Sequence, residues 1–420
     1  MISEPSALVC TCEIAGRVRG KGFPVTDLSA RLKSGVGWVP TNTMISALGP
    51  IADTAFGATG DLILVPDPAT ELKVDFEDGS APEHFFLGDI RTTAGIAWEC
   101  CPRDFLRRAL AALKDVAGLE LHSAFEQEFV YTGVEDHPGS PYSLESFRRQ
   151  GSFGGALLAA LRAAELEPDS FLPEYGARQY EVTTGPATGI AAADNAIKMR
   201  EMARAVAHRL GHRAIFSPIL DPNGAGNGVH IHMSLRTADS RPAAHDPARP
   251  YGLAPTAEAF MAGVLSHMRA LVAVTAPNPI SYIRLTPNRW APTWAYLAER
   301  DREASLRVCP VLDLPGFDPA RQFNIEFRPA DALRAIEEYG LARRGVDHSI
   351  TARSDGTIRA QAEKWDGSSR RFALLRTLPP FQQSQPFGRG QHATVTAEAA
   401  QRRLVALPVS AMQPSVRQVT

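Results

Sequence analysis

What the chain lacks narrows the field first. None of its 420 residues sit in an apolar run that approaches the ~18 needed to span a membrane. Positive charge is not in excess: 44 Lys and Arg against 46 Asp and Glu leave a formal net charge of -2, so no global basic field argues for nucleic acid. The N-terminus, MISEPSALVCTCEIAGR, has an acid where a secretory leader is basic, and its apolar run is short, so a cytoplasmic protein is expected. There are five cysteines, Cys10, Cys12, Cys100, Cys101 and Cys309. An odd number in so long a chain does not suggest a disulfide framework, and Cys10-x-Cys12 has no second Cys or His pair nearby to complete a metal site. No internal repeat stands out, and no GxxxxGK[ST] loop exists to cradle a nucleotide.

What is present is an ordinary globular composition, 44% hydrophobic and 21% charged, with enough apolar residues for a sizeable core. Length suggests two or three domains. Residues 1 to about 100 read as short strands with Gly/Pro turns, including Asp61-Leu-Ile-Leu-Val-Pro66. The texture changes at Pro102. The run beginning at Asp104 has helical spacing and Gly118 as its stop, and a second long helix is predicted from Ala191 to Leu210 with Gly211 as its cap. The segment from Thr237 to Pro255 reads as a surface loop, and the last thirty residues as an irregular tail or strap. The division expected is a small β domain over 1–100 and a large α+β domain over 101–420.

Alternation in the large domain carries the chemical signal. In Ala124-Phe-Glu-Gln-Glu-Phe-Val130, Glu126 and Glu128 share a face, with Phe125 and Phe129 opposite. In the stretch 228–235, Val229, Ile231, Met233 and Leu235 oppose His230, His232 and Ser234. In Phe323-Asn-Ile-Glu-Phe-Arg328, three apolar residues alternate with Asn324, Glu326 and Arg328, and in Ser305-Leu-Arg-Val308 Arg307 faces away from Leu306 and Val308. Such alternation alone is the norm for half-exposed strands. These polar faces, however, hold Glu, His and Arg and no Lys. Two carboxylates on one strand face lie about 7 Å apart and stay ionised most easily beside a divalent cation. Oxygen-rich sites with an imidazole suit Mg²⁺ or Mn²⁺, and guanidinium forks match phosphate oxygens. Together they describe a phosphoryl-transfer site.

Six segments in order resemble the glutamine synthetase family. Glu126-Gln-Glu-Phe129 looks like its first metal strand, and Pro173-Glu-Tyr-Gly-Ala-Arg-Gln-Tyr-Glu181 is similar to its second carboxylate pair. Gly226-Asn-Gly-Val-His-Ile-His-Met-Ser-Leu235 resembles its ATP-binding strand. Asn278-Pro-Ile-Ser-Tyr-Ile-Arg-Leu285, Arg300-Asp-Arg-Glu-Ala-Ser-Leu-Arg307 and Asn324-Ile-Glu-Phe-Arg328 look like its arginine segments and closing metal strand. Gly16-Arg-Val-Arg-Gly-Lys21 and Val65-Pro-Asp-Pro68 fit its N-terminal β-grasp domain. The resemblance spans roughly residues 8 to 335. It implies an N-terminal β-grasp domain, a catalytic domain with a curved antiparallel sheet flanked by helices, and an oligomeric ring, often a dodecamer of two hexamers. It implies ATP and two or three Mg²⁺ or Mn²⁺ per site. Glu128, Glu174 and Glu181 would hold the metal beside the glutamate side chain, and Glu126, His230 and Glu326 the metal on the ATP phosphates. His232 and Ser234 would face the nucleotide. Arg302 and Arg307 would neutralise the transferring phosphoryl group, while Arg284, Arg328 and the Gly226 backbone would hold glutamate.

Departures from the family bear on the second substrate. Ammonia-using members carry a flap, Pro-Gly-Tyr-Glu-Ala-Pro, whose Glu helps take a proton from ammonium; here it reads Pro287-Asn-Arg-Trp-Ala-Pro292, with Trp290 in the Glu position. An N-terminal Asp that helps bind ammonium is matched by Ser46-Ala-Leu-Gly-Pro-Ile51, with Asp53 close by. An indole supplies apolar area and a π face in place of an acid. The expectation is a γ-glutamyl-amine ligase acting through γ-glutamyl phosphate. The rivals are a true glutamine synthetase, a ligase or kinase acting on another acid or on a guanidino group, and a non-catalytic ring. Ala225 replaces the family's Asn before the ATP strand, Asn324 stands where a further phosphate-binding Arg is common, and Ala330-Asp-Ala-Leu-Arg-Ala335 follows the last metal strand in place of Asn-Pro-Tyr.

Overall fold

The computed structural model describes residues 1–331 except 1, 3, 14–15, 47–48, 55 and 313, and the backbone of three further strands, Val346–Ala352, Ile358–Trp365 and Arg371–Thr377. The expected C-terminal strap and residues 332–335 of the departing segment lie outside the described residues.

The first hundred residues form a six-stranded sheet: β1 (Ser6–Cys12), β2 (Val18–Pro24), β3 (Val36–Trp38), β4 (Leu62–Pro66), β5 (Leu72–Val74) and β6 (Glu83–Thr92). The order is β2-β1-β6-β4-β3, with β5 paired to β6. β1 and β6 run parallel, and the other pairs are antiparallel. β6 is apolar on both faces. Phe86 and Ile90 face a core with Val9, Trp38 and Leu64, while Phe85 and Leu87 face a second core shared with the large domain.

The large domain carries a nine-stranded sheet: β7 (Leu119–Tyr131), β8 (Pro168–Pro173), β9 (Gln179–Thr184), β10 (Ala187–Thr188), β11 (Ala214–Ile215), β12 (Val229–Thr237), β13 (Trp294–Glu299), β14 (Ala304–Val308) and β15 (Ile325–Phe327). The order is β13-β14-β15-β12-β7-β9-β8, with β10 and β11 on β7. All pairs are antiparallel as expected except β13–β14, which is parallel, so the sheet is mixed. Its apolar face is covered in two places. Phe129, Tyr180 and Val182 meet Met199, Met202 and Val206 of the helix Ile190–Arg209. Met233, Leu235, Leu306, Ile325 and Phe327 meet Met261 and Met268 of two later helices.

The joint between the domains is electrostatic as well as apolar. The helix Pro102–Ala117 opens with proline, whose missing N–H costs nothing in a first turn, and closes on Gly118 in the left-handed region. Arg103 in its first turn is buried and donates to Asp89 at 2.6 Å, Asp67 at 2.9 Å and Asp194 at 2.8 and 3.0 Å. Burial opposes the guanidinium charge, but Asp194, Asp67 and Asp89 outweigh it and hold the group protonated. One side chain thereby ties two aspartates of the small domain to the long helix of the large one.

Candidate active site

The strands with polar faces are consecutive neighbours: β14, β15, β12, β7 and β9. Register then aligns their side chains. His230 pairs with Glu126, His232 with Glu326, Arg307 with Glu326, and Glu128 with Glu181. Because side chains alternate, one register places acids, imidazoles and guanidiniums on a single face, with the apolar cores behind it.

Glu126 sits between two histidines, with His230 Nδ1 at 2.9 Å and His232 Nε2 at 3.1 Å. His230 Nδ1 also lies 3.4 Å from Glu326 and 3.9 Å from Glu128. Burial resists the Glu126 charge, yet the two histidines hold its carboxyl far below the usual range. Burial and the nearby Arg328 bring His230 down to about 4. His232 moves the other way: Cys309 and Glu126 overcome burial and raise it. Glu326 is completely buried, and Arg307 and Arg328 each donate to one of its oxygens. Burial disfavours its charge, but His230, Arg328, His232 and Arg307 keep it ionised.

A second group of carboxylates lies on the β9 side. Glu128 accepts the Gly228 N–H at 2.9 Å and the Gln179 amide at 3.0 Å, and the same amide reaches Gly226 O and Asn227 Oδ1. Glu174 follows β8 and accepts from the Tyr142 hydroxyl and the Tyr175 N–H, both at 2.8 Å. The pair Glu174 and Glu181 thus belongs to a strand–turn–strand unit, not to the exposed helix that a spacing of seven would also fit. Burial and the charge of Glu174 push Glu128 up to about 8, and burial with Glu126 and Glu128 pushes Glu181 up to about 9. Carboxylates crowded to this degree call for a positive charge among them.

The donor set fits divalent cations. One ligand atom each from Glu126, His232 and Glu326 falls within 4.8 Å of the others. Oxygen donors with one imidazole suit Mg²⁺ or Mn²⁺. His232, expected to face the nucleotide, therefore reaches the same carboxylate as His230, the expected ligand. Asn324 explains its orientation: the Asn324 amide donates to Gln322 O at 3.0 Å, which turns its carbonyl oxygen to His232 Nδ1 at 2.8 Å.

The remaining predicted residues take varied positions. Arg284 is buried and donates to the carbonyls of Arg328 and Pro329, both at 3.2 Å. It lies against Gly226, where an added Cβ would come within 2.6 Å of Arg284 Cγ and 2.8 Å of Pro218 O; only glycine fits. Arg302 is exposed, and its carbonyl accepts from Arg328 Nε at 3.0 Å. Ser234 lies further along β12, opposite His122. Asp53 is exposed. Trp290 is 58% exposed, so it does not pack beneath its flap; its ring meets Tyr175, with centroids 5.9 Å apart.

Gln179, Tyr142, Tyr175 and Glu303 join the site without having been expected. Gln179 had a usable signal, standing two residues from Glu181 on the same strand face. The other three reach the site from turns, where no periodicity marks them.

Comparisons with known proteins agree over most of the chain. Residues 4–98 match a family profile described as glutamine synthetase N-terminal domain, and 99–336 one described as glutamine synthetase, catalytic domain. The gamma-glutamylpolyamine synthetase GlnA3 of Streptomyces coelicolor is 33% identical over 329 residues, covering 76% of this chain and 69% of that protein. The glutamine synthetase of Thermococcus kodakarensis is 28% identical over 388 residues, covering 89% of this chain and 81% of that protein. A crystal structure described as a novel glutamine synthase homolog has a TM-score of 0.75 at 41% identity, covering 80% of this chain and 79% of that one.

Proposed function

The chain belongs to the glutamine synthetase family of ATP-dependent ligases, and from that premise we propose that it joins the γ-carboxyl of glutamate to an organic amine. The observation that carries this reading is the exposed indole of Trp290 on the flap, beside the exposed ring of Tyr175. Two aromatic rings open to solvent suit the alkyl or aryl part of an amine and the face-on approach of its cation. Similarity to a gamma-glutamylpolyamine synthetase supports the same reading. Similarity to glutamine synthetases supports a second one, in which ammonia is the amine.

In this reading Glu126, His230 and Glu326 would hold one divalent cation, with His232 close enough to the same two carboxylates to contribute, and Glu128, Glu174 and Glu181 would hold another. The cations would supply Lewis-acid charge neutralisation on the ATP phosphates and the glutamate carboxylate. Arg307 and Arg328 keep Glu326 ionised and in place. Arg302 and Arg307 offset phosphoryl charge, His232 and Ser234 face the nucleotide, and Arg284 shapes the Gly226 backbone against which glutamate lies. The γ-carboxylate oxygen displaces ADP from the terminal phosphorus of ATP. The amine nitrogen then attacks the acyl carbon of γ-glutamyl phosphate, phosphate leaves with the carbon–oxygen bond pair, and the nitrogen gives up a proton. Family members assemble as rings; a cytoplasmic dodecamer of two hexamers is part of the same proposal, checked by native mass.

The test is phosphate release from ATP with glutamate and Mg²⁺ or Mn²⁺, across ammonia, ethylamine, ethanolamine, putrescine and aniline. Release with an organic amine and little with ammonia supports the proposal. Best activity with ammonia overturns it in favour of glutamine synthesis. No amine-dependent release points to another acid substrate or to a non-catalytic ring.

A further inference from the structure

The flap Pro287–Pro292 is held by side chains from three directions. Glu303, in the turn between β13 and β14, accepts the Trp290 N–H on one carboxylate oxygen at 2.8 Å and the Asn288 N–H on the other at 3.2 Å. Arg289 donates to Pro222 O at 2.6 Å and Gly224 O at 3.0 Å. Arg328 donates to Trp290 O at 2.8 Å while its other nitrogen engages Glu326.

The backbone between these ties is unusual. Asn288 has φ of 64° and Trp290 φ of 53°, both in the left-handed region. Asparagine tolerates that region; a bulky aromatic does so only where its surroundings enforce it. Here the enforcing group is a carboxylate set in the concavity that alternating backbone N–H groups create, an arrangement suited to an anion. Glu303 is itself placed: Asp301 accepts its N–H at 2.9 Å and the Tyr296 hydroxyl at 2.9 Å, which fixes the turn.

The result is an indole that is exposed yet aimed. Among the described residues packing does little to hold it there, since it is 58% exposed and its ring partner Tyr175 is 59% exposed. We propose that Glu303 is a positioning residue for the amine substrate: it locks the flap so that Trp290 stands against Tyr175, and the exposed surface that the two touching rings present together selects an amine with an apolar or aromatic body. This rests on the reading that an organic amine is the second substrate.

The test pairs a kinetic split with a structural readout that needs no activity. Glu303→Ala and Glu303→Gln are compared with the wild type by hydrogen exchange of the flap peptide and by KM for amine, glutamate and ATP. Removing a carboxylate that accepts two N–H groups is expected to speed flap exchange and raise the amine KM by about tenfold or more, with the KM for glutamate and ATP little changed. Glu303→Gln, which keeps one acceptor oxygen, falls between. Tyr175→Ala should raise the amine KM without altering flap exchange. Unchanged exchange in Glu303→Ala shows that the carboxylate does not hold the flap, and an unchanged amine KM shows that the flap does not select the amine; either overturns the inference. A wild type that uses ammonia alone overturns the amine reading separately, whatever the exchange shows.

Discussion

Glu128 and Glu181 stand directly opposite each other on β7 and β9, and burial with the neighbouring carboxylates pushes their carboxyls up to about 8 and about 9. In the unfolded chain both titrate near the ordinary glutamate value of about 4.3. Between these values the folded protein binds more protons than the unfolded one, so these two residues make stability fall as pH rises through that window. The melting temperature of cation-free protein should therefore carry a downward contribution from about pH 5 to about pH 9. Saturating Mg²⁺ or Mn²⁺ should raise it, and more so at the upper end, where fewer protons must be displaced. Thermal unfolding with and without EDTA checks both; a cation effect independent of pH would mean that these carboxylates do not bind it.

Replacing Trp290 tests the amine reading. Trp290→Ala should lower kcat/KM for the preferred organic amine by about tenfold, the scale of a partly desolvated cation–π contact. Trp290→Glu should lower it further and raise use of ammonia. The side chain is exposed, so unfolding free energy should move by no more than about 0.5 kcal/mol. Equal loss toward every amine in Trp290→Ala would assign the indole a role in flap closure alone.

Glu326 should be a stability hot spot as well as a site residue. Its replacement by alanine leaves Arg307 and Arg328, both buried, without their shared carboxylate. Breaking a buried pair in this way costs about 3–5 kcal/mol. Urea unfolding of Glu326→Ala against Glu326→Gln, which retains polarity and shape, measures the cost.

Gly226→Ala should act through contact rather than charge. A methyl group there meets Arg284 Cγ and Pro218 O inside van der Waals distance. Overpacking of this kind costs about 1–3 kcal/mol. The displaced loop should raise the KM for glutamate more than that for ATP; equal changes in both would place the loop outside the glutamate pocket.

Arg103→Met provides the contrast. It removes the buried guanidinium shared by three aspartates at the joint between the domains, leaving Asp67 and Asp89 to Arg107 but taking from Asp194 its bidentate partner, and should cost about 3–5 kcal/mol. The ion-pair partners of Arg103 are not among the residues that tie down the amine flap, so the relative preference among amines should be unchanged in whatever fraction remains folded.

What is legible in the sequence is local. Alternation around Glu126, His230, Glu326 and Arg307 could be seen residue by residue, and Gly118 and Gly211 marked helix ends that the structure places within a residue or so. That these strands are neighbours was not local information; it came from the family resemblance. Contacts made across long separations stayed invisible. Gln179 meets Glu128 across 51 residues, and Asn324 meets His232 across 92. Asn324 stands where a further phosphate-binding Arg is common, and the structure gives it a partner in His232 that no spacing rule announces. Glu303 was hidden for a different reason: it serves backbone N–H groups, which every residue possesses and no sequence pattern displays.

β7 also bears on how the chain finds its shape. Phe125, Gln127 and Phe129 point one way, with Gln127 donating to Ala196 O at 2.6 Å, while Glu126 and Glu128 point the other. A slip of one residue against β12 or β9 would drive both carboxylates into the apolar layer and bring two phenylalanines to the polar side. Buried unpaired carboxylates are among the most costly errors a sheet can make. The residues suited to chemistry are thus also proofreaders of strand alignment, and a Glu126→Leu, Glu128→Leu double variant should lose both activity and fidelity, refolding with a larger misassembled fraction.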